Sequence, residues 1–259
     1  MPEMMAHQAS GLLGLADQAC PQLIAMVSHG DARTEQPTLW QLCGTLSALN
    51  YSVMVLDGTT RETPNNPGLQ QLLEYRFGYT PTENALNDCQ IIPADIGLDL
   101  LESPQQLALS GHLFTADSVV ILYADCQRLV RLLHGSQITP LISLSQEKNS
   151  VLTSYLALKR LLRDAQLEPL FLNMIEPVRT RNMRASTTLP GGIGACARHF
   201  LGYEVTALTI HSSSHANQRD PQMRQLALCL LENALPLRGH AVAAAHAATW
   251  NAGFISRRS

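Results

Sequence analysis

The stretch Ile24–Gly58, IAMVSHGDARTEQPTLWQLCGTLSALNYSVMVLDG, decides the fold. It opens on a continuous apolar run and passes through a short polar segment with a single glycine, Gly30. A helical pattern over Thr38–Leu49 follows, and then a second apolar run ending in Asp57. Apolar runs without alternation are expected of strands covered on both faces. The same alternation of strand and helix continues outward. Strands are expected at Leu23–Ser28, Ser52–Asp57, Cys89–Pro93, Ser118–Tyr123, Ile138–Leu144, Pro169–Asn173 and Val205–Ile210. Helical patterns cover Gln105–Leu113, Gln127–His134, Ser150–Ala165, Gly194–Leu201, Pro221–Ala234 and Gly239–Trp250. This order predicts an α/β fold, a doubly wound, mainly parallel sheet with helices on both sides.

The chain has 259 residues, 46% of them apolar and 15% charged, which suits one large domain with a well-filled core. The polar runs Thr59–Pro67 and His211–Arg219 read as surface loops within it. A single domain is expected over 21–259, preceded by a short amphipathic appendage over 1–20. The net charge of −3 and the scatter of Lys and Arg give nucleic acid no track to follow. The six cysteines show no paired spacing, sit mostly inside apolar stretches, and read as buried free thiols in a reducing cytoplasm. The first cation is Arg33, so no basic region precedes an apolar stretch, and the expected location is the cytoplasm.

Strand, loop, helix, strand is also how a phosphate-binding P-loop begins. That loop needs glycines so that backbone N–H groups can converge on phosphate, a lysine for the β and γ phosphates, and Ser or Thr for Mg²⁺. The segment resembles the MinD/ParA family of deviant-Walker ATPases, and within it the flagellar number regulators of the FlhG/FleN type. Their loop, roughly GKGGVGKT, aligns from Met26 to Asp57 without a gap. The family's signature lysine falls on Gly30, its next glycines on Asp31 and Ala32, and its third on Thr34. The Walker lysine falls on Glu35 and the magnesium-binding threonine on Gln36, followed by Pro37. The strand Val53–Asp57 matches closely, whereas the family's second aspartate falls on Thr59. At the later strand the switch aspartate has no clear match, with Leu122 and Asp125 nearest. Replacing ammonium by carboxylate at ~4 Å, with an effective dielectric of ~20, changes each charge pair by several kcal/mol against phosphate. Ala32 and Thr34 would place Cβ atoms where such a loop curls tightly. The expectation is a degenerate nucleotide loop that holds neither ATP nor Mg²⁺.

Other stretches carry the resemblance along most of the chain. His7-Gln8-Ala9-Ser10-Gly11-Leu12-Leu13 is similar to the family's DQAxxLR element, matching at Gln8, Ala9, Gly11 and Leu12, with His7 in place of its Asp and Leu13 in place of its Arg. In FlhG proteins that element docks on the signal-recognition-type GTPase FlhF. An amphipathic helix laying Ala9, Leu12, Leu13 and Ala16 on the protein body explains the same residues equally well. Downstream, Ser150–Leu162, Leu170–Asn173, Arg198–Glu204 and Asp220–Leu231 resemble successive family segments in the right order.

The resemblance implies a P-loop NTPase-like domain of MinD/ParA type, turned into a pseudo-ATPase. It would act as a non-catalytic regulator of polar flagellum number or placement through protein contacts, with an FlhF-type GTPase or another polar flagellar protein as partner. Two alternatives stand beside it. One is an active ATPase with an unusual loop. The other is a positioning protein for a different polar machine, such as cellulose synthase, a pilus or a chemoreceptor array. No metal site is expected, since the pairs His211/His215 and Cys196/His199 fall short of a zinc ligand set. The Gly-rich Leu189–Gly194 follows no strand and reads as a turn. The helix Pro221–Ala234 is nearly neutral on its polar side, which favours core packing over a basic membrane anchor.

Overall fold

The structure is a computed structural model and describes residues 20–75, 89–175, 192–211 and 220–238. The docking element His7–Leu13 and the helical pattern Gly239–Trp250 lie outside these residues. Strands β1 (Gln22–Ser28), β2 (Ser52–Asp57), β3 (Cys89–Pro93), β4 (Ser118–Asp125), β5 (Leu141–Leu144), β6 (Leu170–Ile175), β7 (Thr206–His211) and β8 (Leu235–Pro236) form one sheet. Its order is β3-β2-β4-β1-β5-β6-β7, and every pairing along it is parallel. The two-residue β8 is the exception and pairs antiparallel with the start of β1, Leu23 opposite Leu235. The expected strands are all present; β8 is too short to leave a periodic signal.

Strand periodicity sorts the core into two layers. In β4, Val119, Ile121 and Tyr123 join one apolar cluster, and Val120, Leu122 and Ala124 join the other. Helices α1 (Ala32–Ala48) and α8 (Pro221–Glu232) cover the first face with Leu39, Leu42, Leu46, Met223, Leu226 and Leu230. The opposite face is covered by α2 (Leu69–Tyr75), α3 (Asp95–Leu100), α4 (Pro104–Leu109), α5 (Cys126–Leu133), α6 (Lys148–Arg160) and α7 (Ile193–Leu201). The apolar side of α8 is thus spent on the core, as its neutral polar side suggests.

Three local expectations need correction. The helix expected from Thr38 begins at Ala32, so the polar link after β1 shrinks to His29–Asp31. Pro37 lies inside this helix without ending it, on its exposed side. Helix α1 ends at Ala48 and is closed by Asn50 beyond it, whose φ of +66° lets Tyr51 N–H reach the Leu46 carbonyl at 3.1 Å. Helices α2 and α3 are short and were not legible as periodic segments. Finally, the cysteines are free but not all buried: Cys43 and Cys126 are, whereas Cys20, Cys89, Cys196 and Cys229 are partly exposed. Pairing of β3 beside β2 brings Cys89 against Cys43 of α1, close enough for the two thiols to perturb each other.

Candidate functional site

Open α/β sheets hold ligands at the carboxyl ends of their strands, where successive crossovers leave toward opposite faces. Here β1 leads through α1 on one face, and β4 leads through α5 on the other. The link His29–Asp31 therefore lies at the expected place. Gly30 makes its turn with φ +95°, a conformation that a side chain would strain.

Glu35 decides the chemistry of this link. It sits in the first turns of α1, is 1% exposed, and folds its side chain back under the link. Its Oε1 accepts the backbone N–H groups of His29 (2.9 Å) and Asp31 (2.8 Å). Its Oε2 accepts the Ser28 hydroxyl at 3.2 Å and the phenol of Tyr123 on β4. Two converging backbone N–H groups at the positive end of a helix make an oxyanion cradle. This cradle is filled by the chain's own carboxylate. The motif extends the reach-back of a capping box, with the acid one position further into the helix.

The neighbours reinforce that closure. The His29 side chain is buried, its Nε2–H donating to the Ser143 carbonyl (2.6 Å), its Nδ1 beside the Thr153 hydroxyl (2.9 Å), and its Nε2 3.6 Å from Glu35 Oε1. Asp31 accepts the Ser145 hydroxyl at 3.0 Å. Burial acts to raise the pKa of Asp31, but hydrogen bonds from Ser150, Thr34 and Ser145, together with His29, outweigh it and hold it below the usual carboxylate range. Burial, and then the hydrogen bond to Glu35, push the Tyr123 phenol above its ordinary range. Arg33 faces away and pairs with Glu147 on the surface at 2.7 Å. The site thus sets the carboxylates of Glu35 and Asp57 near Tyr123, with His29 Nε2 close to Glu35.

The residues read from the sequence as a phosphate loop separate in space. Gly30 and Asp31 belong to the link. Ala32, Thr34, Glu35 and Gln36 are helical, so no tight curl forms around them and the Cβ argument for Ala32 and Thr34 does not apply. Thr34 and Glu35 point inward, whereas Ala32 and Gln36 are exposed. Asp57 is occupied locally: its carboxylate accepts Thr59 N–H (2.9 Å) and the hydroxyls of Thr59 and Thr60 (both 2.6 Å). Sequence reasoning missed Ser28 and Tyr123, near the carboxyl ends of β1 and β4, and His29 in the link.

The surrounding loops are tied down as well. The run Thr59–Pro67 is mostly exposed, but Glu62 turns inward and accepts N–H groups of Ile96 (2.7 Å), Gly97 (2.8 Å) and Gln70 (3.3 Å). Gly68 passes so close that a Cβ there would lie 2.0 Å from the Pro93 carbonyl oxygen. Arg128 of α5 binds Asp95, Asp99, Asp125 and the Gly58 carbonyl, joining the segments after β2, β3 and β4. A cleft of about 540 Å³ opens beside it, lined by Asp99, Asp125, Gln127, Arg128, Val130 and Arg131, whose opposite charges are already paired. Among the described residues no cluster of His, Cys, Asp and Glu fits a metal ion. None of their helices is long and apolar enough to cross a membrane.

Neither a protein-family model nor a curated protein sequence matches the chain. Solved structures with a similar sheet arrangement include a ParA family ATPase from Chlorobium tepidum (11% identity, TM-score 0.49, 81% of this chain and 98% of that one). A putative plasmid partition protein from Borrelia burgdorferi bound to AMPPNP is similar at 16% identity, TM-score 0.48, over 82% of this chain and 97% of that one. The MinC:MinD cell division complex of Aquifex aeolicus is similar at 13% identity and TM-score 0.46, over 84% and 98%. The likeness is low in both measures and assigns neither family nor activity to this chain; its α/β class with a mainly parallel sheet follows from its own topology.

Proposed function

We propose that the protein is a nucleotide-independent regulator of polar flagellum assembly, similar in role to the FlhG/FleN number regulators, which works by presenting surfaces to partner proteins at the cell pole. The supporting observation is the Glu35 carboxylate, bound by the N–H groups of His29 and Asp31. A phosphate entering there would have to displace an internal anion held by four donors, with the carboxylates of Asp31 and Asp57 nearby and without a lysine. The link then serves as a structural joint between β1 and α1. Residues 1–20 dock on an FlhF-type GTPase. ATP does not drive dimerisation, so the chain is monomeric or dimerises without nucleotide.

Two measurements test this reading. A fluorescent ATP analogue titrated with Mg²⁺ is expected to show no saturable binding, and micromolar affinity would make the protein an atypical ATPase instead. A pull-down with an FlhF-type GTPase is expected to succeed with the full chain and fail without residues 1–20. Retained binding after the deletion would refute the docking role.

A further inference from the structure

Helix α6 carries an outward face that no other described element covers. Its inward side is committed, with Ser150, Ser154, Ala157 and Leu158 buried. On the outside, Leu152 and Leu156 are 58% and 48% exposed. At about 100° per residue these leucines sit about 40° apart at the centre of the exposed arc. Lys148 and Lys159 flank them on one side and Arg160 on the other, all within about 120° and all exposed. Arg163 follows in the π-helical turn Leu161–Ala165. Residues 148–165 thus hold four cations against the single anion Asp164, in a chain whose net charge is −3. None of the four forms an ion pair among the described residues, and the nearby Glu147 is taken by Arg33.

An apolar pair rimmed by unpaired cations, on a helix spanning about 18 Å from Lys148 to Arg160, is complementary to one chemistry. We infer that the outward face of α6 docks an acidic amphipathic helix of a partner protein, whose apolar i, i+4 pair packs on Leu152 and Leu156 while its carboxylates meet Lys148, Lys159 and Arg160. Charge complementarity at such a rim steers encounter, and the leucines hold the bound state. An anionic membrane is the weaker fit. A lipid-inserting helix needs a broad apolar face free to sink between headgroups, and the rest of α6 is fixed to the sheet. The surface does not depend on the nucleotide reading.

The test uses the full chain and two fluorescein-labelled helical peptides of twelve residues. Each carries leucines at i and i+4, flanked by glutamates in one peptide and by lysines in the other. Fluorescence anisotropy is expected to show the glutamate peptide bound, at least tenfold more weakly in high salt, and the lysine peptide unbound. L152S/L156S is expected to weaken binding at least tenfold with unchanged circular dichroism and Tm, since both sites are exposed. The triple variant K148E/K159E/R160E is expected to reverse the preference and bind the lysine peptide. The inference is overturned if the glutamate peptide binds no better than a scrambled version, or if charge reversal leaves the preference unchanged. It is equally overturned if phosphatidylserine vesicles, but not the peptide, bind through Leu152 and Leu156.

Discussion

Glu35 binds Asp31 through the backbone: Oε1 of the glutamate accepts the aspartate N–H at 2.8 Å, four residues back along the chain. The same oxygen takes the N–H of His29. Carboxylate and cradle are therefore parts of one short segment, and the helix that should present its amino end to a ligand presents it to itself. Removing the carboxylate exposes what it satisfies. Glu35→Gln keeps the shape, but its amide NH₂ cannot accept, so donors on one side lose their partner. The expected loss is about 2–4 kcal/mol of folding stability in urea titration.

Tyr123→Phe removes one donor to that carboxylate and is expected to cost about 1–2 kcal/mol. Because both groups share one bond, the double variant with Glu35→Gln should lose less than the sum of the single losses. Full additivity in the cycle would show that the Tyr123 phenol does not act on Glu35.

The raised Tyr123 pKa also sets an alkaline dependence. The folded state holds the phenol protonated above the range in which the unfolded chain releases it, near pH 10. Its contribution is thus fully present below about pH 10 and lost as pH rises toward the folded value. Wild-type stability should fall more steeply than that of Tyr123→Phe above about pH 10. Parallel curves would contradict the assignment.

Asp31 has the opposite sign. Its pKa is depressed in the folded state, so its contribution is present above the unfolded value, near 3.9, and lost as pH falls through the folded one. Asp31→Asn should cost about 1 kcal/mol at neutral pH, a gap that closes below about pH 4 in acid unfolding curves.

Cys43 and Cys89 should differ in reactivity. Hydrogen bonding to Cys89 and burial keep the Cys43 thiol protonated, and that bond lowers the pKa of Cys89 against its own desolvation. Cys89 is half-buried and Cys43 buried. Iodoacetamide followed by peptide mass spectrometry is expected to label Cys89 first. Cys43→Ser should leave Cys89 reactive, because serine still donates a hydrogen bond to it.

The sheet was legible because strands covered on both faces appear as unbroken apolar runs such as Val53–Asp57 and Ser118–Tyr123. The start of α1 was not, since Gly30, Asp31 and Pro37 punctuate the segment like a loop while the helix begins at Ala32. Alignment marked Glu35 as a charge hostile to phosphate but could not say which way its side chain turns. That direction is fixed by Tyr123, 88 residues away on a neighbouring strand, and by amides of the link itself. Likewise, nothing local to Cys43 or Cys89 announces their contact, which depends on β3 pairing beside β2.

The most direct test follows the amide resonances of His29 and Asp31 by ¹⁵N–¹H correlation spectroscopy while Mg-ATP is added to millimolar concentration. Both are expected to stay in place, their N–H groups already held by Glu35. Saturable shifts of both resonances at micromolar nucleotide would show a cradle open to phosphate and contradict the account.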